Sequence, residues 1–173
     1  MSVTKVSSAM QDAMVVADLP AGSTVQQVYT QTGATITGTT TMPADDTLPQ
    51  VTEGNEVMTL AITPTHASNI LEITVVSMTT RSGDAHNITI ALFNTNYHST
   101  NAMATAFYTG AGGQHVNHSS FKARMTAGTT SASTFKVRAG ATGAGTMTFN
   151  GNAGGRLHAG VMASSITITE IQA

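Results

Sequence analysis

Six histidines and nine carboxylates are the side chains of this 173-residue chain best suited to hold a metal or move a proton, and cysteine is absent. His115 and His118 stand closest together, but side chains three apart on a strand point to opposite faces, so one chain offers no chelate there. His115 or His118 would hold an ion only where a three-fold axis presents the same imidazole three times. Asp45, Asp46, Glu53 and Glu56 gather in one loop and its edge. Clustered oxygens suit calcium, yet this spacing lacks the glycine and the alternating ligands of an EF-hand, and a solvated loop is the simpler reading. Glu72 alternates with Ile70 and Thr74 and is placed to pair with an arginine. Hydroxyls are abundant, but there is no G-x-S-x-G elbow to single out a nucleophile. A carboxylate pair for glycoside hydrolysis would need an aromatic-lined cleft, and three tyrosines without tryptophan argue against one. The runs Gly140 to Gly145 and Gly151 to Gly155 lack a phosphate-loop lysine and read as turns. No catalytic residue, metal site or cofactor site is assigned, and the expectation is a protein that is not an enzyme.

The elements around these residues must be built from an unusual composition. Thirty-one residues are threonine and only 9% are charged, against about 25% in ordinary soluble domains. Threonine suits a pleated, half-wet surface, because its restricted χ1 costs little in a strand and its hydroxyl satisfies water. Such a surface is kept in solution by hydroxyls and amides or is covered by other subunits. A net charge of −2 with seven scattered basic residues gives no footprint for nucleic acid. No run of about 18 apolar residues exists to span a membrane, and MSVTKVSSAMQDAM has no apolar core of a secretory signal. The expected setting is synthesis in a cytoplasm, with no membrane insertion.

One domain preceded by a short arm is expected. In residues 1–22, Val3, Val6, Met10 and Met14 form a weak helical stripe that Leu19-Pro20-Ala21-Gly22 closes. This arm, helical or extended, is expected to order against a subunit or a particle. Residues 23–173 read as strands and turns. Residues 24–30 and 34–41 flank a Thr-Gly turn and suggest a hairpin; 42–55 reads as a loop; 56–63, 70–79 and 88–93 alternate as strands do. The Ala-rich stretch 101–107 suggests one or two helical turns, and strands are expected again at 115–125, 134–138, 146–150 and 161–171. The fold class is therefore all-β, an antiparallel jelly-roll-like β-sandwich of about eight strands with a short N-terminal arm. Phe93, Phe107, Phe121, Phe135 and Phe149 recur every fourteen residues, so that each could anchor one strand. The last strand, with Ile166 and Ile168 on one face, is expected to face the core or a neighbouring subunit.

Two stretches carry a resemblance. ATITGTTTMPADDTLPQVTEGNEVMTLAITPTHASNILEITVV (residues 34–76) resembles a domain of bacteriophage tail-fibre and related virion structural proteins, and AGTTSASTFKVRAGATGAGTMTFNGNAGGRLHAGVMASSITITEI (residues 127–171) is similar to the end of that domain. The most recognisable piece, Ile62 to Val75, is a packing-and-turn motif rather than a site. The resemblance implies a non-enzymatic, homotrimeric β-sandwich on the exterior of a virion, acting as a tail-fibre or receptor-binding head. Implied partners are other copies of the chain, other tail or capsid proteins, and a host surface glycan or protein. Tail fibres usually carry an anchoring domain and a shaft, whereas about twenty residues precede the sandwich here. A capsid decoration (cement) protein, clamping the head shell at three-fold positions, is the alternative. Val3, Val6, Met10, Met14, Ile166 and Ile168 are the expected interface residues.

Overall fold

The structure is a computed structural model that describes residues 19–82, 85–111 and 115–173, with side chains for all of these but 85, 86, 110 and 111. Strong period-2 alternation builds β3 (Asn55–Ile62), β4 (Ile70–Arg81), β7 (Asn117–Thr126), β8 (Ser133–Ala141) and β12 (Ser164–Ile171). In β4 every second residue from Leu71 is buried, and in β12 Ser164, Ile166, Ile168 and Glu170 are buried in turn. The remaining strands are β1 (Thr24–Thr32), β2 (Ile36–Gly38), β5 (Ala85–Asn94), β6 (Ala104–Ala111), β9 (Met147–Phe149) and a small β10–β11 ladder (Gly151–Asn152 and Gly155–Arg156).

All pairings are antiparallel. One sheet has the order β3-β8-β5-β6. In the other, β7 lies along one side of β4, pairing residues 70–79. The opposite side of β4 is shared: β12 pairs residues 70–76, and β9 takes over at 79–81. β1 then pairs with β12 and β2 with β9. Thus β12 and β9 are two halves of one strand position, and β1 and β2 two halves of the next. Counted so, each sheet has four strands among the described residues, and the pair has the two-sheet architecture of an eight-stranded jelly roll. Leu71, Ile73, Val75, Ile166 and Ile168 from this sheet meet Ile88, Ile90, Leu92, Phe135 and Val137 from the other in a common core.

Three expectations are corrected by this register. Segments 24–30 and 34–41 do not form a hairpin. They lie in succession along one edge, and the Thr32-Gly33 signal produces a jog between β1 and β2 rather than a reversal. Residues 101–107 are not helical, because β6 pairs with β5 and alternates half-buried Ala104, Ala106 and Tyr108 with exposed Thr105, Phe107 and Thr109. Tertiary pairing overrides the helix propensity of alanine there. Finally, the five evenly spaced phenylalanines do not share one role. Phe93, Phe135 and Phe149 are buried, Phe121 is half-buried, and Phe107 is 52% exposed.

The sheets differ on their outer sides. Residues 39–54 cross the outside of β8 and β5 as a roof and enclose a second core of Met42, Ala91, Phe93 and Ala102 with Val51 against it. Met42 N–H donates to the Ala141 carbonyl at 2.9 Å, and Arg138 donates from Nε to the Glu53 carbonyl (2.8 Å) and from Nη2 to the Gly54 carbonyl (2.7 Å). Gly140 lets the roof approach this closely, since a Cβ there would lie 2.8 Å from the Thr40 carbonyl oxygen.

Candidate functional site

The expected chemistry-bearing residues do not converge. His115 lies ahead of β7 and is exposed, so the alternation argument governs only His118, which is exposed on β7 opposite Met78. Among the described residues no group of three or more His, Asp or Glu side chains is close enough to hold a metal ion. Three of the four loop carboxylates are held in separate local bonds. Asp45 accepts from the Thr47 hydroxyl (2.5 Å) and N–H (3.0 Å), which hold its carboxyl below the usual carboxylate range. Glu53 accepts from the Gln50 N–H at 2.8 Å, and Glu56 pairs with Lys136 at 2.9 Å. Glu72 does find its arginine: Arg124 Nε is 3.4 Å away, with Lys122 Nζ at 3.1 Å.

Val3, Val6, Met10 and Met14 lie outside the described residues. Ile166 and Ile168 take the core side of their alternative. Both are fully buried within the single chain, so the expectation that they belong to a subunit interface is corrected: they have no accessible surface left to give a partner.

Two buried polar clusters hold the sandwich together. Glu170 is the fourth inward residue of β12 and has no accessible surface. Its Oε2 accepts from Gln26 Nε2 at 2.6 Å, while Oε1 accepts from Asn69 Nδ2 (2.7 Å), the Thr65 hydroxyl (2.8 Å) and the Thr65 N–H (2.9 Å). A bulge in β1 between Thr24 and Gln26 sets Gln26 opposite Glu170. Burial pushes this carboxyl up, but the bonds from Gln26, Asn69 and Thr65 outweigh it and hold the group below its ordinary value. The carboxylate is therefore ionised, acceptor-only and enclosed, which fits a structural clamp and not acid–base chemistry. Period-2 parity was the available signal: Glu170 falls in step with Ile166 and Ile168.

The second cluster splices the divided strands. Asn150, buried and at φ 52°, follows β9. Its N–H donates to the Met78 carbonyl (2.9 Å), and its Nδ2 donates to the Thr32 carbonyl (2.7 Å) at the jog between β1 and β2. Ser164, at the start of β12, donates its hydroxyl to Asn150 Oδ1 (2.6 Å) and accepts from the Met78 N–H (2.9 Å).

One surface concavity of ligand size lies where the roof meets the outer face of β5 and β6. A pocket of about 370 Å³ is lined there by Pro43, Ala44, Asp45, Thr47, Pro49, Thr89, Thr105 and Phe107. Phe107 pairs across the strands with Thr89. Thr89 is 5% exposed, and its buried hydroxyl has no hydrogen-bond partner among the described residues. Leu48, at the tip of the roof, is 62% exposed. Sequence reasoning missed this site because β6 was expected to be helical, which hides the Phe107–Thr89 pair.

Among the described residues no helix is long and apolar enough to cross a membrane. No family model matches the chain, and no curated protein matches it in sequence. Solved structures are similar at low identity. An Eiger TNF from S. frugiperda is 13% identical with a TM-score of 0.46, covering 85% of this chain and 94% of that one. A chain of infectious bursal disease virus, Gx strain, is 12% identical with a TM-score of 0.38, covering 87% of this chain and 39% of that one. The CBM22-1 xylan-binding domain of Paenibacillus barcinonensis Xyn10C is 11% identical with a TM-score of 0.36, covering 90% and 99%.

Proposed function

We propose that the protein is a non-enzymatic structural subunit of a bacteriophage particle, a homotrimeric β-sandwich on the particle exterior that acts as a tail-fibre or receptor-binding head. The observation that carries this reading is where the two phage-like stretches meet. Thr65 and Asn69, from the recognisable turn of the first stretch, bind Glu170, at the end of the second. The resemblance thus spans a joint of the fold, and residues 101 or more apart in sequence serve one clamp. The architecture supports the same reading, since jelly rolls recur in viral capsid and lectin domains.

For trimerisation, the flank between β6 and β7 takes the place first given to Ile166 and Ile168. Phe121, Ala123 and Met125 face the core there but are only half-buried, so they retain apolar area for a neighbour. Light scattering on the purified chain should give about three times 17.7 kDa; a monomer removes the trimer from the proposal. The purified chain should also compete with particles for adsorption to host cells. Imaging of particles decides position: a few copies at the tail fit the fibre head, whereas copies spread over the shell reassign the protein to capsid decoration. A particle that lacks the protein altogether overturns both.

A further inference from the structure

We infer that the pocket beneath the roof is a saccharide subsite that takes one neutral pyranose ring. The inference rests on the receptor-binding reading above and names the site through which that binding would act. A sugar ring presents an apolar C–H face and a rim of hydroxyls, so its site needs an exposed aromatic surface beside short polar groups. The pocket supplies both. Phe107 offers a half-exposed ring, and Pro43 and Pro49 add apolar wall. Thr47 and Thr105 supply hydroxyls at the pocket. Asp45 binds Thr47 through Oδ1 alone in both its hydrogen bonds, which leaves Oδ2 to accept from a sugar hydroxyl.

Two further observations narrow the ligand. Charge chooses among sugars. Asp45 is the one charged residue of the lining and no cation joins it, so a carboxylated or sulfated sugar would meet repulsion without compensation. The pocket volume of about 370 Å³ lies at the low end of small-ligand sites, which suits one ring rather than an extended chain.

The test is a titration of the ¹⁵N-labelled full chain with methyl β-glucoside, methyl β-galactoside, N-acetylglucosamine and N-acetylneuraminic acid. At least one neutral sugar should produce saturable shifts confined to the amides of residues 43–49, 89 and 105–107. Phe107→Ala should weaken that binding at least about tenfold with an unchanged melting temperature, because the ring is exposed. Thr105→Val is the complementary variant: Thr105 is exposed on β6 and lines the pocket, so the melting temperature should stay unchanged while the sugar binds at least about threefold more weakly. Absence of shifts with every neutral sugar, shifts elsewhere on the surface, or a preference for N-acetylneuraminic acid overturns the subsite. Host adsorption separates this from failure of the broader reading. A Phe107→Ala chain that competes as well as the unchanged protein leaves a receptor-binding head but removes this pocket from it. Loss of competition by the unchanged protein removes the head itself.

Discussion

Outside β4 and β12, side chains such as Thr74, Thr167 and Thr169 stand half-buried in a field of hydroxyls, with Gln27 and Tyr29 exposed beside them. Outside β8 and β5, the equivalent surface has vanished under residues 39–54, and Ala91 and Phe93 belong to a second core with Met42. The two faces are built on sheets of the same size and share one ornament, a glutamate with two basic neighbours: Glu72 with Lys122 and Arg124, Glu56 with Lys136 and Arg138. The difference lies in what sits between those charges. Hydroxyls are content with water, and a face made of them needs no cover. Small apolar residues and a glycine invite a chain segment to lie flat, and the roof brings its own methionine to fill the gap. The roofed face carries the pocket of about 370 Å³, because a segment laid over a sheet leaves an edge where it lifts off.

Met42→Ala is the strongest way to break this contrast. Met42 is fully buried between roof and sheet, and its truncation should cost about 2–5 kcal/mol in urea denaturation. A loss near zero would mean that the roof is not packed as a core. Glu170→Gln comes next, at about 1–3 kcal/mol, because an amide cannot accept from Gln26, Thr65 and Asn69 at once. It should also change the acid limb. The folded-state value of Glu170 is depressed, so the unfolded chain takes up the proton first as pH falls. Stability from this group is complete above the ordinary glutamate range and is lost as pH falls toward the depressed value. Urea midpoints of Glu170→Gln should therefore decline less below about pH 4.5 than those of the unchanged protein.

Glu72→Gln tests the ornament on the bare face. Lys122 and Arg124 are 62% and 61% exposed, so thermal unfolding should register no more than about 1 kcal/mol, fading in high salt. The smallest effect belongs to Thr167→Val, within about 0.5 kcal/mol in the same measurement. A Thr167→Val cost as large as that of Met42→Ala would show that the bare face is covered by something in solution.

Much of this architecture was legible in advance because alternation is a local property. Residues 56–63, 70–79, 115–125 and 161–171 each carry their own period, and each forms a strand within a few residues of the expected bounds. What was not legible depends on partners far along the chain. Thr32 and Gly33 read as a hairpin turn by nearest neighbours, but Asn150, 118 residues away, holds Thr32 at a jog instead. Alanines at 102, 104 and 106 favour a helix until β5 offers eight registered partners. The pocket inherits that error, since Phe107 and Thr89 become neighbours only through the same pairing. Glu170 was readable by parity but is the kind of residue that pattern reasoning assigns to water, and only the converging donors explain why it is inside.

The divided strand has one more consequence. Because Asn150 and Ser164 each bind Met78, the end of β9 and the start of β12 are fixed independently of the chain between them. Residues 151–163 are consequently a detour with anchored feet, and Val161 at 82% exposure stands on its outer curve. At its exposed outer curve a detour of this kind can lengthen or change its sequence without moving the register of either half-strand. In a lineage under pressure to alter its exterior, this is the position where new peptide can be displayed while the scaffold stays the same, and in the laboratory it is where a foreign epitope should be grafted first.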